Sequence, residues 1–393
     1  MRDDDTTGWQ ALIAAAGSRA WTARMRSLTR DAAQGAYQRR ALLQRHAIEI
    51  TLERLRQGLD RPLNPGERRI AALAAEAGRV LARLTREGRT AMRAALREGL
   101  TEGNTLIPLM HLVRCAAMQR ARGFTVRFAG FDDGAGFDLL IARDGVECEI
   151  VCDVVSAEDG RDVHRGAWVD LVDRVDPDLQ TWLAAHPGRY ILKLTLPQGL
   201  RAGQQGLATL HGRIRTMLAA STRADYDEAA VLRLDPLMLA GSQADELGLM
   251  SSLRREFGHE AHLAVTAAGA GVFVLAARAG RENEVAVAIR RRMAAIAPMR
   301  LTGTRPGILA MFVEDTDQAE WSHLRDRLEL EGEARQFLAH PEFRRVIAVS
   351  CMSRVELLGD PALAPAEGEL RFRNPAHPNA KAPALAAAVL SSV

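Results

Sequence analysis

The fold is decided by the stretch Val146-Glu147-Cys148-Glu149-Ile150-Val151-Cys152-Asp153. Side chains of a β-strand point alternately to its two faces. One face of this stretch therefore carries Val146, Cys148, Ile150 and Cys152. The other face carries Glu147, Glu149, Val151 and Asp153. The pattern predicts a strand with one side on an apolar core.

An earlier strand is predicted to pair with it. Phe137–Ala142 is a second apolar stretch, and Arg143-Asp144-Gly145 separates the two. Asp-Gly is a dipeptide favoured in tight hairpins, so the two stretches are predicted to form one. Phe124–Phe128 is predicted to be a third strand, and residues 106–122 before it an amphipathic helix.

Helices and strands alternate after this hairpin. A helix is predicted from about His164 to His186, followed by the strand Tyr190–Leu196. This helix is predicted to be a crossover between neighbouring strands. Further strands are predicted at Ala229–Leu234, His262–Thr266, Gly271–Ala276, Ile308–Val313 and Arg345–Leu357. The expected fold class is α/β, with a mixed central sheet and flanking helices.

Three regions are expected along the chain. Residues 1–103 are predicted to be a basic helical region, in which Asn64-Pro65-Gly66-Glu67 begins a long helix that runs to about Leu100. Residues 104–358 are predicted to form the α/β domain, with an insertion around 200–300 that receives no functional interpretation. Residues 359–393 are rich in Pro and Ala and are predicted to be a disordered tail.

Composition limits the functional classes. The chain has 393 residues, of which 47% are hydrophobic. No apolar stretch approaches the roughly 18 residues needed to cross a bilayer. Its acidic start does not have the pattern of a secretory signal. We therefore expect a cytoplasmic protein without membrane association. The patterns of P-loop NTPases (GxxxxGK[ST]), α/β-hydrolases (GxSxG) and zincins (HExxH) are not found.

Charge is distributed unevenly. Residues 1–130 contain 23 Arg and 12 acidic residues, whereas the remainder has 29 basic and 37 acidic residues. A basic helical segment joined to a more acidic body is typical of a polyanion-binding face, and well-solvated helices are the alternative. Nucleic acid is therefore one expected partner of the Arg-rich N-terminal helices, and a protein is another.

A metal site is one interpretation of the acidic face. Asp138 lies in the partner stretch of the hairpin, eleven residues before Glu149. Carboxylates from two adjacent strands are the ligands that Mg²⁺ or Mn²⁺ requires, and such a cation activates water and stabilises phosphate. The candidate ligands are Asp138, Glu147, Glu149 and Asp153. The alternative is a polar hairpin face whose acids are solvated.

These stretches resemble the PD-(D/E)XK, or restriction-endonuclease-like, nuclease superfamily over roughly residues 105–197. The resemblance rests on Gly123-Phe124-Thr125-Val126, on Phe137-Asp138-Leu139-Leu140-Ile141, on the acidic strand, and on Ser156–Arg165. A weaker resemblance over Arg305–Val355 suggests that C-terminal strands complete the same sheet. The resemblance implies a helix, a hairpin that carries an Asp, and a strand with a Glu-x-Lys motif.

The superfamily motif is degenerate here, and three registers stay open. With Glu149 as the acid, Val151 occupies the lysine position. With the register set by Ser156–Arg161, Val151-Cys152-Asp153 replaces the motif. With Glu147-Cys148-Glu149, the site is Glu-x-Glu.

Lys193 is a candidate for the missing lysine. It is one of only two lysines, Lys381 being the other, and it lies within the apolar strand Tyr190–Leu196. If this strand neighbours the acidic one, Lys193 assists catalysis together with Asp138 and Glu149. Otherwise it is a surface lysine.

Two functions follow from these alternatives. The favoured one is a non-catalytic or weakly active nuclease-fold protein that binds nucleic acid or a protein partner and needs no cofactor. The other is a Mg²⁺- or Mn²⁺-dependent nuclease that hydrolyses DNA phosphodiester bonds. Loss of the lysine of the Glu-x-Lys motif favours the non-catalytic function, and three acids on one strand face favour the nuclease.

Other residue types point to structural roles. The four cysteines form no CxxC pair, and no zinc set is apparent, so buried free thiols are expected. His111 is interpreted as a packed core histidine, and His164 and Arg165 as a solvated helix start. The acidic group Glu314-Asp315-x-Asp317, after strand Ile308–Val313, is expected to cap the helix near Trp321.

Overall fold

A computed structural model describes residues 3–58, 61–201, 203–237, 246–258, 260–358 and 369–391. These residues are divided between two compact units. The first unit comprises the described residues of 1–30, 43–157 and 286–393, and the second those of 31–42 and 158–285. The predicted α/β class is confirmed in the coarse sense that the described residues form helices and two mixed sheets.

Seven helices precede the first strand: α1 (Asp3–Ala16), α2 (Ser18–Asp31), α3 (Ala36–Arg45), α4 (Ala47–Gln57), α5 (Pro65–Arg83), α6 (Arg86–Gly99) and α7 (Ile107–Ala121). The predicted start of α5 is confirmed, because Asn64 and Glu67 form a reciprocal capping box. The single helix predicted to run to Leu100 is instead two helices. Thr85 caps α6, and its N–H and hydroxyl donate to the carboxylate of Asp132, 47 residues later.

The hairpin follows these helices. The chain here forms β1 (Thr125–Arg127), α8 (Ala129–Asp132), β2 (Leu139–Arg143) and β3 (Val146–Ser156). The hairpin itself consists of β2 and β3. β2 pairs antiparallel with β3, with Leu140 opposite Glu149. Asp144 and Gly145 both have positive φ angles, of 50° and 77°, as a tight two-residue turn requires. The predicted hairpin is confirmed.

The second unit holds the next elements: α9 (Arg165–Ala185), β4 (Arg189–Leu196), α10 (Gln204–Ala219), β5 (Ala224–Tyr226), β6 (Val231–Pro236), α11 (Glu246–Phe257), β7 (His262–Ala268) and β8 (Gly271–Ala279). Its sheet has the order β5-β6-β4-β8-β7. The inserted unit therefore spans 158–285, rather than the predicted 200–300.

The chain then returns to the first unit through α12 (Val285–Arg300), β9 (Gly307–Glu314), α13 (Gln318–Asp326), α14 (Glu329–Ala339), β10 (Val346–Ser353), α15 (Arg354–Leu358), β11 (Leu370–Arg373) and α16 (Ala386–Val389). Its sheet has the order β1-β2-β3-β9-β10-β11. β9 is parallel to both β3 and β10. The prediction that C-terminal strands complete the sheet of the hairpin is confirmed.

The predicted crossover from β3 to β4 is wrong. β3 pairs with β2 and β9, whereas β4 pairs with β6 and β8 in the other sheet. The reason lies in the packing of α9. Leu171, Val175 and Leu179 on this helix belong to the core of the second unit together with Leu192 of β4.

The N-terminal helices share the core of the first unit, so residue 103 is not a domain boundary. Leu12, Ile48 and Leu96 lie in one hydrophobic cluster with Ile308 and Phe312 of β9. The C-terminal stretch 369–391, predicted to be disordered, also contributes to this core. β11 pairs antiparallel with β10, and Leu385 and Val389 are buried. Residues 359–368 of the predicted tail lie outside the described residues.

Two further predictions concern the described helices. Asp317 caps α13 by accepting from the backbone N–H of Glu320, which confirms its predicted role. None of the described helices has the length and apolar character needed to cross a membrane.

Helices α1 and α5 meet at two glycines, and this contact gives a testable prediction. A Cβ added to Gly78 would clash with the backbone oxygen of Gly8. Backbone cannot yield as a flexible side chain does, so we expect Gly78→Ala to lower the free energy of unfolding by about 1–3 kcal/mol. Urea denaturation measures this change.

The matched control is Gly332→Ala in α14. A Cβ there has no atom within 4 Å. Relief of the helical glycine penalty should raise stability by about 0.5–1 kcal/mol. Equal effects of the two substitutions contradict the close helix contact.

Candidate functional site

The acidic face of β3 is covered by cationic side chains from α12 and the loop after it. Arg292, Arg300 and Arg305 approach Asp153, Asp138 and Glu147, respectively. All six residues belong to the first unit. The pairing joins residues more than 130 positions apart, so no local pattern in the sequence indicated it.

Asp138 lies at the start of β2 and is held from three sides. Its backbone N–H donates to Ile150 O, at 2.9 Å, and its carboxylate accepts from the N–H of Cys152, at 2.7 Å. Arg300 Nη2 donates to the other carboxylate oxygen, at 2.8 Å. Burial raises the pKa of Asp138, and the charge of Arg300 opposes that rise.

Glu149 is wholly buried, with 0% of its surface exposed. Both its carboxylate oxygens accept hydrogen bonds from Thr302, one from the backbone N–H at 2.9 Å and one from the hydroxyl. Arg305 Nη1 lies 3.5 Å from Oε1. Arg305 Nε also donates to Glu147, at 2.6 Å. Arg305 therefore neutralises two of the candidate acids.

Asp153 completes the set. It accepts from Arg292 Nε and from Arg292 Nη2, the latter at 2.9 Å. This is a bidentate arginine–carboxylate pair, which fixes both side chains. Each of the four acids expected to bind Mg²⁺ or Mn²⁺ is thus paired within the first unit. The alternation of faces predicted for β3 agrees with these contacts, because Cys148 and Ile150 lie in the core.

Lys193 is engaged elsewhere. It lies in β4, in the sheet of the second unit. Its Nζ is 3.3 Å from Asp235 and 3.7 Å from Glu256, and it lies 5.3 Å from the ring centre of Phe257. The condition for its catalytic assistance, a position on a strand next to β3, is not met.

A second cluster lies on the apolar side of β3. His111 and Cys115 are one turn apart on α7, and Cys152 faces them from β3. Among the described residues, these three form the single set of three or more His, Cys, Asp or Glu side chains whose ligand atoms lie within 4.8 Å of one another. The spacing His111-x-x-x-Cys115 was the available signal, because residues four apart share one helix face.

Hydrogen bonds orient this cluster. His111 Nε2 lies 2.8 Å from the carbonyl oxygen of Ala310 on β9, and Cys115 Sγ lies 3.7 Å from His111 Nδ1. The hydrogen bond with Cys152 lowers the pKa of the Cys115 thiol, and the same contact raises the pKa of Cys152. Burial alone lowers the pKa of His111, but Cys115 raises it above its usual value.

No family model, curated protein or solved structure matches this chain. The two clusters must therefore be interpreted from their own chemistry. The remaining candidates have structural contacts. Glu158 accepts from the backbone N–H of Arg165, at 2.7 Å, and lies 3.8 Å from His164 at the start of α9.

A third feature is a row of arginines on α6. Arg86, Arg93 and Arg97 are exposed, and no ion pair to any of them is found among the described residues. Spacings of seven and four residues place them on one side of the helix. Met92 and Leu96, on another side, are buried in the core of the first unit. We call Arg86, Arg93 and Arg97 the arginine row.

Proposed function

We propose that this chain is a nucleic-acid-binding protein with a restriction-endonuclease-like core that does not cut its ligand. The proposal rests foremost on the pairing of Asp138, Glu147, Glu149 and Asp153 with cationic or hydrogen-bonding partners from residues 292–305. A cation-dependent nuclease needs these carboxylates for its metal.

The order of elements supports the nuclease-like core. α7 is followed by a hairpin that carries Asp138 at its start, and β3 supplies the acidic strand. β9 then joins β3 in parallel. With Glu149 as the motif acid, Val151 stands at the lysine position, and Lys193 lies in the other sheet.

Charge supports nucleic acid as the ligand. Every phosphate contact by an arginine releases condensed counterions, which is the main source of affinity in non-specific binding. Within the described part of the chain, no carboxylate forms an ion pair with any of the three residues of the arginine row. They lie on a helix that Met92 and Leu96, on a neighbouring side, anchor in the core, so the row is held on a rigid support.

The salt dependence of binding tests this assignment. We expect the combined Arg86→Gln, Arg93→Gln and Arg97→Gln variant to bind duplex DNA more weakly, with a log–log salt slope smaller by about 2.7. When salt is raised from about 50 to 200 mM, the fold-loss of affinity should then be about 40 times larger for the wild type than for the variant. Fluorescence anisotropy of a labelled duplex measures both.

The matched control replaces three exposed arginines outside the row, Arg215, Arg327 and Arg344, with Gln. It removes the same net charge, so an equal change in salt slope contradicts a specific role of the row. Absence of DNA and RNA binding by the wild type, with a protein captured instead, overturns the nucleic-acid proposal.

The same samples test the alternative of a nuclease. Incubation with Mn²⁺ or Mg²⁺ should leave plasmid and single-stranded DNA intact. Cleavage that is lost in Asp138→Ala and in Glu149→Gln shows that the ion pairs open and that the chain is a metal-dependent nuclease.

A further inference from the structure

The group of His111, Cys115 and Cys152 has the donor chemistry of a thiophilic metal. Two sulfurs and one imidazole nitrogen are the ligands that Zn²⁺ prefers, and three protein ligands leave a fourth position for water or another oxygen. The ligand-bearing side chains of His111, Cys115 and Cys152 all lie in the protein interior, where no solvent competes for the ion.

The distances agree with a tetrahedral site. Zinc–sulfur bonds of about 2.3 Å and zinc–nitrogen bonds of about 2.0 Å place sulfur and nitrogen ligands about 3.6 Å apart. Cys115 Sγ is 3.7 Å from His111 Nδ1, and all three ligand atoms lie within 4.8 Å of one another. The site therefore needs little movement of the backbone to close around an ion.

The environment of His111 adds an independent argument. Its Nε2 is paired with the carbonyl oxygen of Ala310, at 2.8 Å. A histidine that binds a metal through one nitrogen usually donates the other N–H to a carbonyl or carboxylate, which fixes the ring and its tautomer. Nδ1, the nitrogen nearer to Cys115, is thereby left for the ion.

We propose that His111, Cys115 and Cys152 bind one Zn²⁺ ion that joins α7 to β3. Both thiols lose their protons to solvent when the ion binds, so two thiolates balance its charge and the affinity rises with pH. Cys115 Sγ is also 3.9 Å from His111 Nε2. The sulfur therefore lies beside the ring rather than in line with Nδ1, and binding includes a rotation of this thiol.

The ligand set differs from the acidic face, which it touches where the backbone N–H of Cys152 donates to Asp138. Asp138, Glu147, Glu149 and Asp153 are paired with arginines or Thr302, and hard carboxylate ligands suit Mg²⁺ rather than a thiophilic ion. The ion has a structural role, because it connects α7 to β3, the second strand of the hairpin.

Cobalt binding tests the proposal on the full-length chain. Reduced protein, stripped of metal, is titrated with Co²⁺ under anaerobic conditions. We expect thiolate-to-cobalt charge-transfer bands and the intense d–d bands of tetrahedral cobalt, saturating at one equivalent and abolished by one equivalent of Zn²⁺. Zn²⁺ should also raise the Tm of the wild-type protein.

Variants assign the ligands. Cys115→Ser and Cys152→Ser should each lose the charge-transfer bands and the Tm increase, whereas Cys148→Ser and Cys351→Ser retain both. The controls replace buried thiols outside the cluster, and Cys148 lies on the same strand as Cys152. Circular dichroism identifies any variant that does not fold.

The proposal is overturned by the absence of cobalt bands in the folded wild type, by bands that persist in both cluster variants, or by equal loss in the controls. The proposal is also overturned if the isolated protein has a Cys115–Cys152 disulfide and the protein still binds no metal after reduction. These outcomes are independent of DNA binding, so they leave the arginine row to be tested on its own.

Discussion

Phe312→Ala should lower the free energy of unfolding of the first unit by about 3–5 kcal/mol. Phe312 lies on the central strand β9 and is 0% exposed, and its ring lies 5.5 Å from that of His111. Truncation removes buried apolar surface and leaves a cavity. Because β9 is paired with a strand on each side, its backbone cannot shift to fill this cavity. Hydrogen exchange of the β3, β9 and β10 amides, together with urea denaturation, measures the loss.

Phe312→Leu is the control for this prediction. It keeps most of the apolar volume, so its cost should be below about 2 kcal/mol. The N-terminal helices share this core, and their amides should lose protection together with those of β9 in the alanine variant. Unchanged protection in α5 and α6 contradicts a common core.

Local chemistry was predictable from the sequence wherever neighbours along the chain determine it. Asn64 and Glu67 are three residues apart and form the expected capping box. Asp144 and Gly145 adopt the positive φ angles that a two-residue hairpin turn requires. The alternation over residues 146–153 likewise indicated which side chains of β3 enter the core.

Choices between distant partners were not predictable in the same way. The strand 190–196 has a clear apolar pattern, but that pattern does not identify its neighbours, and β4 pairs with β6 and β8. Similarly, Thr85 begins α6 with help from Asp132, a residue in another element. Neither contact has a counterpart in local periodicity.

The candidate site was half predictable. The sequence placed acidic residues on one face of β3, and the structure has them there. It gave no indication that Arg292, Arg300 and Arg305 return to that face after the second unit is inserted. The acids form ion pairs because α12 and the loop after it return to the first unit once residues 158–285 have been inserted.

Removal of Arg300 tests whether these ion pairs hold the acidic face. Arg300→Met should lower the free energy of unfolding at pH 8 by about 2–3 kcal/mol, because Asp138 is left without its countercharge. The side chains of Asp138 and Arg300 are 20% and 29% exposed, so we expect less than the full cost of breaking a buried pair. Gly136 O and Cys152 O also lose their donor.

The pH dependence gives this prediction its direction. Burial raises the pKa of Asp138 above its unfolded value, and Arg300 opposes that rise. Stability therefore falls as pH rises from the unfolded pKa of Asp138 to its raised folded pKa, and loss of Arg300 extends this interval to higher pH by raising the folded pKa further. The penalty of Arg300→Met should be smaller at pH 5 than at pH 8. Adding Asp138→Asn should remove this difference, since position 138 then has no carboxylate to titrate. An equal penalty of Arg300→Met at both pH values contradicts the pairing.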